Sequence, residues 1–232
     1  MSEQSGPLRF RTVRVEDAGG IAEVCYRTGY HGEDLSGSGR FNDRRLFALL
    51  FSLYYPLCEP ENGFVAVENS GAIAGYCLGT TDSRAQAGRF RRRMLPRILL
   101  RALAVSWWRY PESFRELVRF SGVNSMHGGL DDLYDRYPAH LHINLLPDCQ
   151  RRGAGSELLA LFESRVRSAG APGIHLVTSE RNLKAVPFYR KHGYAPERTL
   201  APGLWSDAPD ARAIVFVKDL RGMERGGAGY FY

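Results

Sequence analysis

The chain has 232 residues, 44% of them hydrophobic, which is enough for one ample core, and we expect a single domain over residues 1–232. Its four cysteines follow neither a CxxC spacing nor a zinc-like spacing to histidine, so neither a disulfide framework nor a metal cofactor is predicted. The first twenty residues lack a secretion signal, and no stretch reaches the roughly 18 uninterrupted apolar residues of a spanning helix. These features favour a reduced, cytoplasmic setting without a membrane partner.

The net charge of +6 is concentrated in one segment. The 31 basic residues are 28 arginines and three lysines, and residues 89–120 hold nine of the arginines against two glutamates. These arginines could bind nucleic acid, an acidic membrane surface or a phosphate-bearing cofactor. Apolar residues among them favour helices that pack on the core or on a homodimer partner, and nucleic acid is not the expected partner. Those apolar residues are Leu99, Leu100, Leu103, Trp107 and Trp108.

The first third of the chain predicts a strand, two helices and a hairpin. Alternating apolar residues indicate a strand over 8–14, and Asp17 then stands as N-cap before a helix-like stretch over 18–30. A second helix is expected over 42–53. Residues 63–80 contain two apolar runs around the turn sequence "ENSG", which is typical of a β-hairpin.

The pattern changes between residues 82 and 137, where helical stretches rich in arginine and tryptophan precede a polar loop. We interpret this segment as an insertion between the third and fourth strands. The elements predicted after it are a strand over 139–146, a helix over 153–170, a strand over 173–179, a helix over 182–192 and a strand over 211–220. A glycine-rich tail over 221–232 is expected to be loose. Strand, glycine turn, helix and strand form a βαβ unit, which predicts an α/β fold, more closely an α+β mixed sheet.

The glycine turn "QRRGAG" joins a predicted strand to a predicted helix. Glycines at 153 and 155 let several backbone N–H groups point in one direction at a helix N-terminus, which suits a pyrophosphate. Arg151 and Arg152 add positive charge, and Ser156 can donate a hydroxyl hydrogen bond. The alternative is that any short strand-to-helix connection favours glycine. The turn lacks the GK[ST] ending of a P-loop and is not a GxGxxG motif, so a different phosphate-bearing cofactor is indicated.

Two motifs together carry a family resemblance. "QRRGAG" matches the Q/R-x-x-G-x-G/A signature of the GNAT (GCN5-related) N-acetyltransferases, and "RNLKAVPFYRKHGY" resembles the next motif of that family. The resemblance covers roughly residues 8–219. "YPAHLHINLLPDCQRRGAG" is more narrowly similar to the acetyltransferase-like domain found with O-GlcNAc hydrolases and to its stand-alone bacterial relatives. The resemblance to the GNAT family implies a GNAT-type acyl-CoA N-acyltransferase fold with a helical insertion between strands 3 and 4.

The resemblance also implies a function: transfer of an acetyl group from acetyl-CoA to a primary amine by direct attack in a ternary complex. Backbone groups near Leu145 and Leu146 would pair with the pantetheine arm, and Asn182 would form a hydrogen bond with that arm. The pyrophosphate would lie on the amides of residues 151–156. The implied cofactor-binding residues are Leu145, Leu146, Gln150, Arg151, Arg152, Gly153, Ala154, Gly155, Ser156, Asn182 and Phe188.

The reaction needs a base for the amine, a stabilised oxyanion and a proton for the departing thiolate. Tyr189 stands at the general-acid position of the family, and a backbone N–H near Leu146 would hold the oxyanion. The usual glutamate of the family is absent near Ala139, which leaves His140 and His142 as candidate bases. The two histidines share one face of a regular strand, and His142 is preferred because it lies nearer the point where the strand would splay. The alternatives are that Tyr189 is an ordinary core residue, and that the two histidines are sheet residues whose ring nitrogens are already hydrogen-bonded.

The acceptor would enter between residues 28–40 and 125–138. Acidic residues there would favour a cationic amine, or they are ordinary solvated charges. They are Glu33, Asp34, Asp131, Asp132 and Asp135. Two hypotheses of another class stay open: a catalytically idle acetyl-CoA sensor or interaction module, which the missing glutamate permits, and a structural domain without bound CoA, which the intact glycine turn disfavours.

Overall fold

A sheet of seven strands runs through the parts of the chain that the computed structural model describes, which are residues 6–126, 130–200 and 210–221. The strands are β1 (Arg9–Thr12), β2 (Phe64–Val67), β3 (Ile73–Thr80), β4 (Ala139–Leu145), β5 (Gly173–Ser179), β6 (Ala195–Leu200) and β7 (Ala213–Asp219). Their order is β1-β2-β3-β4-β5-β7-β6, and within these ranges β4 and β5 form the single parallel pair. The prediction of a mixed sheet is therefore confirmed.

Helices cover both faces of the sheet. They are α1 (Ala18–Arg27), α2 (Arg44–Phe51), α3 (Tyr54–Cys58), α4 (Ser83–Arg93), α5 (Leu95–Arg101), α6 (Trp107–Arg109), α7 (Pro111–Met126), α8 (Ala154–Ser168) and α9 (Ala185–Lys191). A π-helical segment, Ala102–Ser106, joins α5 to α6, and short 3₁₀ turns lie at Val15–Asp17, Pro60–Asn62 and Pro147–Cys149. No helix in the described ranges has the length and apolarity needed to cross a bilayer.

The core has two main parts, one on each side of the sheet. Helices α1–α3 and the insertion pack with one face of β2 and β3 around Tyr54 and Tyr76. Helices α8 and α9 pack on the other face around Phe162 and Phe216, together with Leu141 of β4. Since successive residues of a strand point to opposite faces, His140 and His142 lie on the side of α1–α3. This division decides which candidate groups can share a cavity.

The predicted hairpin between β2 and β3 is present. The Glu68 N–H donates to the Ala72 carbonyl and the Gly71 N–H donates to the Glu68 carbonyl, each at 2.9 Å. Gly71 has φ +88°, a left-handed conformation that glycine adopts without a steric penalty.

One local prediction was wrong, and one strand was not predicted. Asp17 precedes α1, but its carboxylate accepts hydrogen bonds from the Arg14 N–H and the Arg11 guanidinium, each at 2.7 Å, and caps no α1 amide. A 3₁₀ turn already gives Asp17 helical angles, so its side chain points backward. Strand β6 was not predicted, because "APERTL" has no apolar alternation and pairs only with β7 at the sheet edge. The expected tail, apart from residue 221, lies outside the described residues.

The insertion forms helices α4–α7 between β3 and β4, as predicted, and α7 continues to Met126 through part of the expected loop. It is attached to the core by Met94, Ile98, Ala102 and Leu117. The other apolar residues singled out from the sequence do not pack on the core, and their packing on a homodimer partner stays a prediction. Leu99, Leu100, Leu103, Trp107 and Trp108 are 50–70% exposed.

Candidate active site

The parallel strands β4 and β5 separate soon after they meet. Their pairing is limited to Ala139 with Ile174 and His140 with His175. Beyond that point β4 continues along β3 to Leu145, while β5 continues along β7 to Ser179. The middle of the sheet therefore opens into a wedge-shaped gap, along which β4 and β5 make no further strand pairing within the described ranges.

A cavity of about 290 Å³ lies at this gap. Its walls come from His142 and Asn144 of β4, the end of β5, the loop after α1, helix α2 and residues 211–213. Phe47, Phe51 and Tyr76 give it an aromatic side. The loop after α1 is fixed over the cavity because the Asn144 amide donates to Thr28 Oγ1 at 2.6 Å. Among the described lining residues there is no carboxylate, and Arg212 is the one side chain with a full positive charge.

His142 presents its ring to this cavity. The residue is exposed, and in the described part of the chain neither ring nitrogen has a hydrogen-bond partner. Protein atoms surround the remaining sides of the ring, and this desolvation, with a smaller contribution from nearby His175, lowers the pKa of His142 to about 4. The imidazole is therefore neutral at pH 7 and can accept a proton, although it is a weak base before ligands bind.

His140 is held differently. Its Nε2 lies 2.8 Å from the Tyr55 hydroxyl and its Nδ1 lies 2.7 Å from Ser83 Oγ, so both nitrogens are occupied. Burial, with the neighbouring histidines His142 and His175, lowers the pKa of His140 well below its usual value. Of the two predicted bases, His142 alone lines the cavity.

Tyr189 lies on the opposite side of the sheet, in the core that α8 and α9 share with β4. Its ring packs 5.9 Å from Tyr194 and 5.8 Å from Phe216, measured between centroids. Burial raises the pKa of Tyr189 above its usual value, so the phenol stays protonated at neutral pH. Tyr189 and His142 are thus not neighbours in one cavity, and the gap between β4 and β5 lies between them.

The glycine turn begins α8 with a left-handed backbone. Arg151 has φ +61° and Gly153, directly before the helix, has φ +80°. A side chain at 155 would place its Cβ 3.2 Å from the Phe188 ring, so Gly155 permits Phe188 to pack against the first turn of α8. The predicted amide cradle and Phe188 are therefore adjacent.

Several predicted cofactor-binding groups already have partners within the chain. Gln150 donates to the Leu145 carbonyl at 3.0 Å, Arg152 donates to the Gly6 carbonyl at 3.0 Å, and Ser156 Oγ lies 2.9 Å from His192 Nε2. These contacts hold the turn against the strand end, the N-terminal segment and α9. Asn182 accepts from the Ala185 N–H at 3.2 Å and lies beside Gly32 at the rim of the cavity.

The prediction was a backbone N–H near Leu146, and the N–H of Leu146 itself is not directed into the gap. It donates to the Ala74 carbonyl at 2.9 Å. Because hydrogen-bonding directions alternate along an antiparallel pair, the N–H groups of Ile143 and Leu145 point the other way, toward the gap. The amides suited to an oxyanion are therefore these odd-numbered ones.

The acidic residues expected at the acceptor entrance are mostly paired with arginines. Arg27 lies 3.6 Å from Asp34, Arg84 lies 2.6 Å from Asp135, and Arg198 makes a two-point contact with Asp132. None of the predicted acids lines the cavity. This arrangement favours the interpretation of these residues as surface charges.

Sequence reasoning missed three groups around the histidines. His175 is buried, with its Nδ1 2.7 Å from the Tyr137 carbonyl, and its ring centroid lies 5.6 Å from that of His140. Tyr55 and Ser83 hold His140 from outside the sheet. The position of His175 beside His140 could have been predicted from the sequence, because the two residues pair if β4 and β5 begin in register. The sequence carries no local signal for the contacts of Tyr55 and Ser83.

Comparison with known proteins gives a consistent result. The model of the Acetyltransferase (GNAT) family matches residues 30–194. Among solved structures, SsHAT is 27% identical with a TM-score of 0.72, covering 92% of this chain and 98% of its own. The Salmonella typhimurium protein yncA, solved with its cofactor acetyl-CoA, is 13% identical (TM-score 0.57; 97% and 100% covered). The phosphinothricin acetyltransferase of Sinorhizobium meliloti, in complex with AcCoA, is 16% identical (TM-score 0.52; 91% and 88% covered).

Proposed function

The chain belongs to the GNAT family and is an N-acetyltransferase, and we propose that it moves an acetyl group from acetyl-CoA to a primary amine by direct attack in a ternary complex. The observation that carries the proposal is the gap between β4 and β5, with His142 at the cavity on one side and the glycine turn at its end. An extended thioester arm needs such a gap, because its amides can pair with the free edge of β4.

The residues around the gap fit this co-substrate. The left-handed turn at Gly153 leaves the first amides of α8 without intrahelical partners, which suits a pyrophosphate. A methyl group added at 153 would meet nothing within 4 Å, so the space in front of the turn is open. Arg151 is exposed beside it and supplies positive charge. When bound, acetyl-CoA supplies an activated acetyl group as a thioester.

The chain's own groups have separate tasks in the transfer. His142 accepts a proton from the ammonium form of the amine, directly or through water, because it is neutral and open to the cavity. The N–H groups of Ile143 and Leu145 donate to the carbonyl oxygen on which negative charge develops. Tyr189 donates a proton to the departing sulfur from the other side of the sheet, through the gap. The aromatic wall of Phe47, Phe51 and Tyr76 excludes water from the reacting groups.

Two finer assignments belong to the same proposal. The similarity of "YPAHLHINLLPDCQRRGAG" supports a closer relationship to the stand-alone bacterial relatives of the O-GlcNAc hydrolase domain. The four cysteines are free thiols, which supports a reducing compartment such as the cytoplasm.

Calorimetry with acetyl-CoA, followed by a screen of primary amines for CoA release, tests the proposal. We expect binding and release with at least one amine, and His142→Gln to lower kcat about 10²-fold or more while acetyl-CoA affinity stays within twofold. If acetyl-CoA binds but no amine causes CoA release, the idle sensor is favoured. If acetyl-CoA does not bind, its assignment as the co-substrate is wrong. Val15→Ser, a change far from the cavity on the exposed first 3₁₀ turn, serves as the unaffected control.

A further inference from the structure

The inserted helices carry an exposed apolar face, here called the insertion face. Its residues are Leu95, Leu99, Leu100, Leu103, Trp107 and Trp108, each 42–70% exposed. The two indole rings alone leave on the order of 250 Å² open. With the four leucines added, the face reaches the size of the largest apolar patches on monomeric proteins, and such patches usually mark an interaction site.

The face is a regular feature of the helix. The buried residues of this stretch recur every four positions, at Met94, Ile98, Ala102 and Ser106. The next row along the helix surface is exposed and apolar, at Leu95, Leu99, Leu103 and Trp107. A four-residue repeat drifts around an ordinary helix, which has about 3.6 residues per turn. The π-helical segment Ala102–Ser106, which has more residues per turn, reduces that drift over the last turn of each row.

The face is also held rigid from below. Asp43 of the core accepts hydrogen bonds from Arg101 at 3.0 Å and from Ser106 at 2.7 Å, which fixes both ends of the π-helical segment. The Trp108 ring N–H donates to the Ala104 carbonyl at 3.0 Å. The indole of Trp108 therefore has no unsatisfied polar atom and can enter an apolar medium without losing a hydrogen bond.

Arginines surround the insertion face. Those exposed at its two ends are Arg91, Arg92, Arg93, Arg97 and Arg109. In the described ranges none of the five forms an ion pair, whereas the nearby acids Glu112 and Glu116 are already bound by Arg115 and Arg119. The surroundings of the face are thus uncompensated positive charge next to hydrocarbon.

We propose that the insertion face docks on an anionic phospholipid surface. Leucine and tryptophan side chains would enter the boundary between headgroups and acyl chains, while the arginines contact phosphate oxygens. Two other occupants are disfavoured. In a symmetric dimer built on this face, the arginines of the two chains would lie opposite one another and repel. A nucleic acid could pair with the arginines, but it offers no apolar surface for the four leucines. The helices lie on the bilayer and do not span it. This inference replaces the sequence-based expectation of no membrane partner.

Sedimentation of the 232-residue chain with lipid vesicles tests the proposal. We expect binding to phosphatidylcholine vesicles that contain a quarter of phosphatidylglycerol, a blue shift of tryptophan fluorescence, and little binding to pure phosphatidylcholine. Trp107→Ser/Trp108→Ser should weaken binding about tenfold or more. Arg92→Glu/Arg93→Glu should weaken it as strongly at low salt.

The matched controls change the same chemistry elsewhere. Val15→Ser removes an exposed apolar side chain outside the face, and Arg9→Glu/Arg45→Glu makes the same change in net charge. Both should bind vesicles within twofold of the wild type. The proposal is overturned if face and control variants bind alike, or if Trp107→Ser/Trp108→Ser abolishes a concentration-dependent dimer while vesicle binding is absent. Salt-sensitive retention on nucleic acid without vesicle binding would overturn it as well.

Discussion

The Tyr55 hydroxyl lies 2.8 Å from Nε2 of His140, although 85 residues separate the two in sequence. Ser83 Oγ lies 2.7 Å from the other ring nitrogen, so the imidazole is held on both sides by groups outside the sheet. His142, two residues further along β4, faces the cavity without such partners among the described residues. One histidine of the pair therefore fixes the strand, and the other is open to ligands.

Tyr55→Phe should reduce stability and leave the chemistry largely unchanged. The substitution leaves a nitrogen of His140 without its partner in a desolvated site, at a cost of about 1–3 kcal/mol. We expect that loss in urea unfolding and a change in kcat of less than about threefold. Tyr110→Phe is the control, because the Tyr110 ring only stacks with Arg101 and Arg109 in the described structure. Equal losses in the two variants would show that the His140 contact does not contribute.

The clustered histidines should make the fold sensitive to acid. Burial lowers the pKa of His140 and His175, and desolvation by the protein atoms around its ring lowers that of the exposed His142 to about 4. Between pH 6.5 and 4 the unfolded chain takes up protons that the folded chain refuses, so stability falls as the pH falls. A group that binds one more proton in the unfolded chain than in the folded chain adds at most about 1.4 kcal/mol per pH unit.

A series of urea unfolding curves between pH 7 and 4 checks this dependence. His142→Gln should make the slope less steep while leaving the direction unchanged. An NMR titration of the His142 ring in the wild type should give a midpoint far below 6.5. A midpoint near 6.5, with an unchanged slope in His142→Gln, would rule out the desolvated environment.

Gly153→Ala should weaken acetyl-CoA binding about tenfold or more. The methyl group meets no protein atom within 4 Å, and we expect it to occupy part of the open space in which the pyrophosphate would bind. Its φ of +80° also costs about 1 kcal/mol for a residue with Cβ. Gly193→Ala is a close control, since Gly193 has φ +81° in a turn after α9. Calorimetry should find acetyl-CoA affinity within twofold for Gly193→Ala, and a similar loss in both variants would contradict the cradle.

The sequence predicted the fold better than the chemistry of the site. Regular apolar periods predicted the main strands and helices, because burial repeats every two residues in a strand and every 3.6 in a helix. Strand β6 was missed because an edge strand needs little apolar surface. The direction of the Leu146 N–H depends on register with β3, which no local pattern encodes. Likewise, the two partners of His140 come from α3 and α4, which the chain brings together only in three dimensions.

Tyr189→Phe should lower kcat by about 10²-fold, with acetyl-CoA affinity nearly unchanged. Burial keeps the Tyr189 phenol protonated, and the substitution removes that proton without removing the ring that packs on Phe216. Tyr194→Phe alters a buried tyrosine whose ring centroid is 5.9 Å away and should change kcat by less than threefold. Steady-state kinetics of both variants measures kcat and the affinity for acetyl-CoA separately. If Tyr189→Phe lowers only the affinity for acetyl-CoA, Tyr189 is not the general acid.

Arg101→Met should destabilise the protein by about 3–5 kcal/mol. Asp43 is 1% exposed, and burial alone would raise the pKa of its carboxyl. Hydrogen bonds from Arg101, Ser106 and the Leu46 N–H outweigh that effect and hold the pKa below its usual value. Removing the guanidinium leaves a buried charge with weaker compensation.

The pH dependence of Arg101→Met follows from the same contact. A lowered carboxyl pKa stabilises the fold above about pH 4, and this contribution is lost as the pH falls through the folded-state value. Without Arg101 the folded pKa of Asp43 rises, so acid unfolding should begin at a higher pH than in the wild type. Arg115→Met breaks an exposed pair with Glu112 and should cost less than about 0.5 kcal/mol. Thermal and acid unfolding of the two variants measures both effects, and equal behaviour would mean that Asp43 does not depend on Arg101.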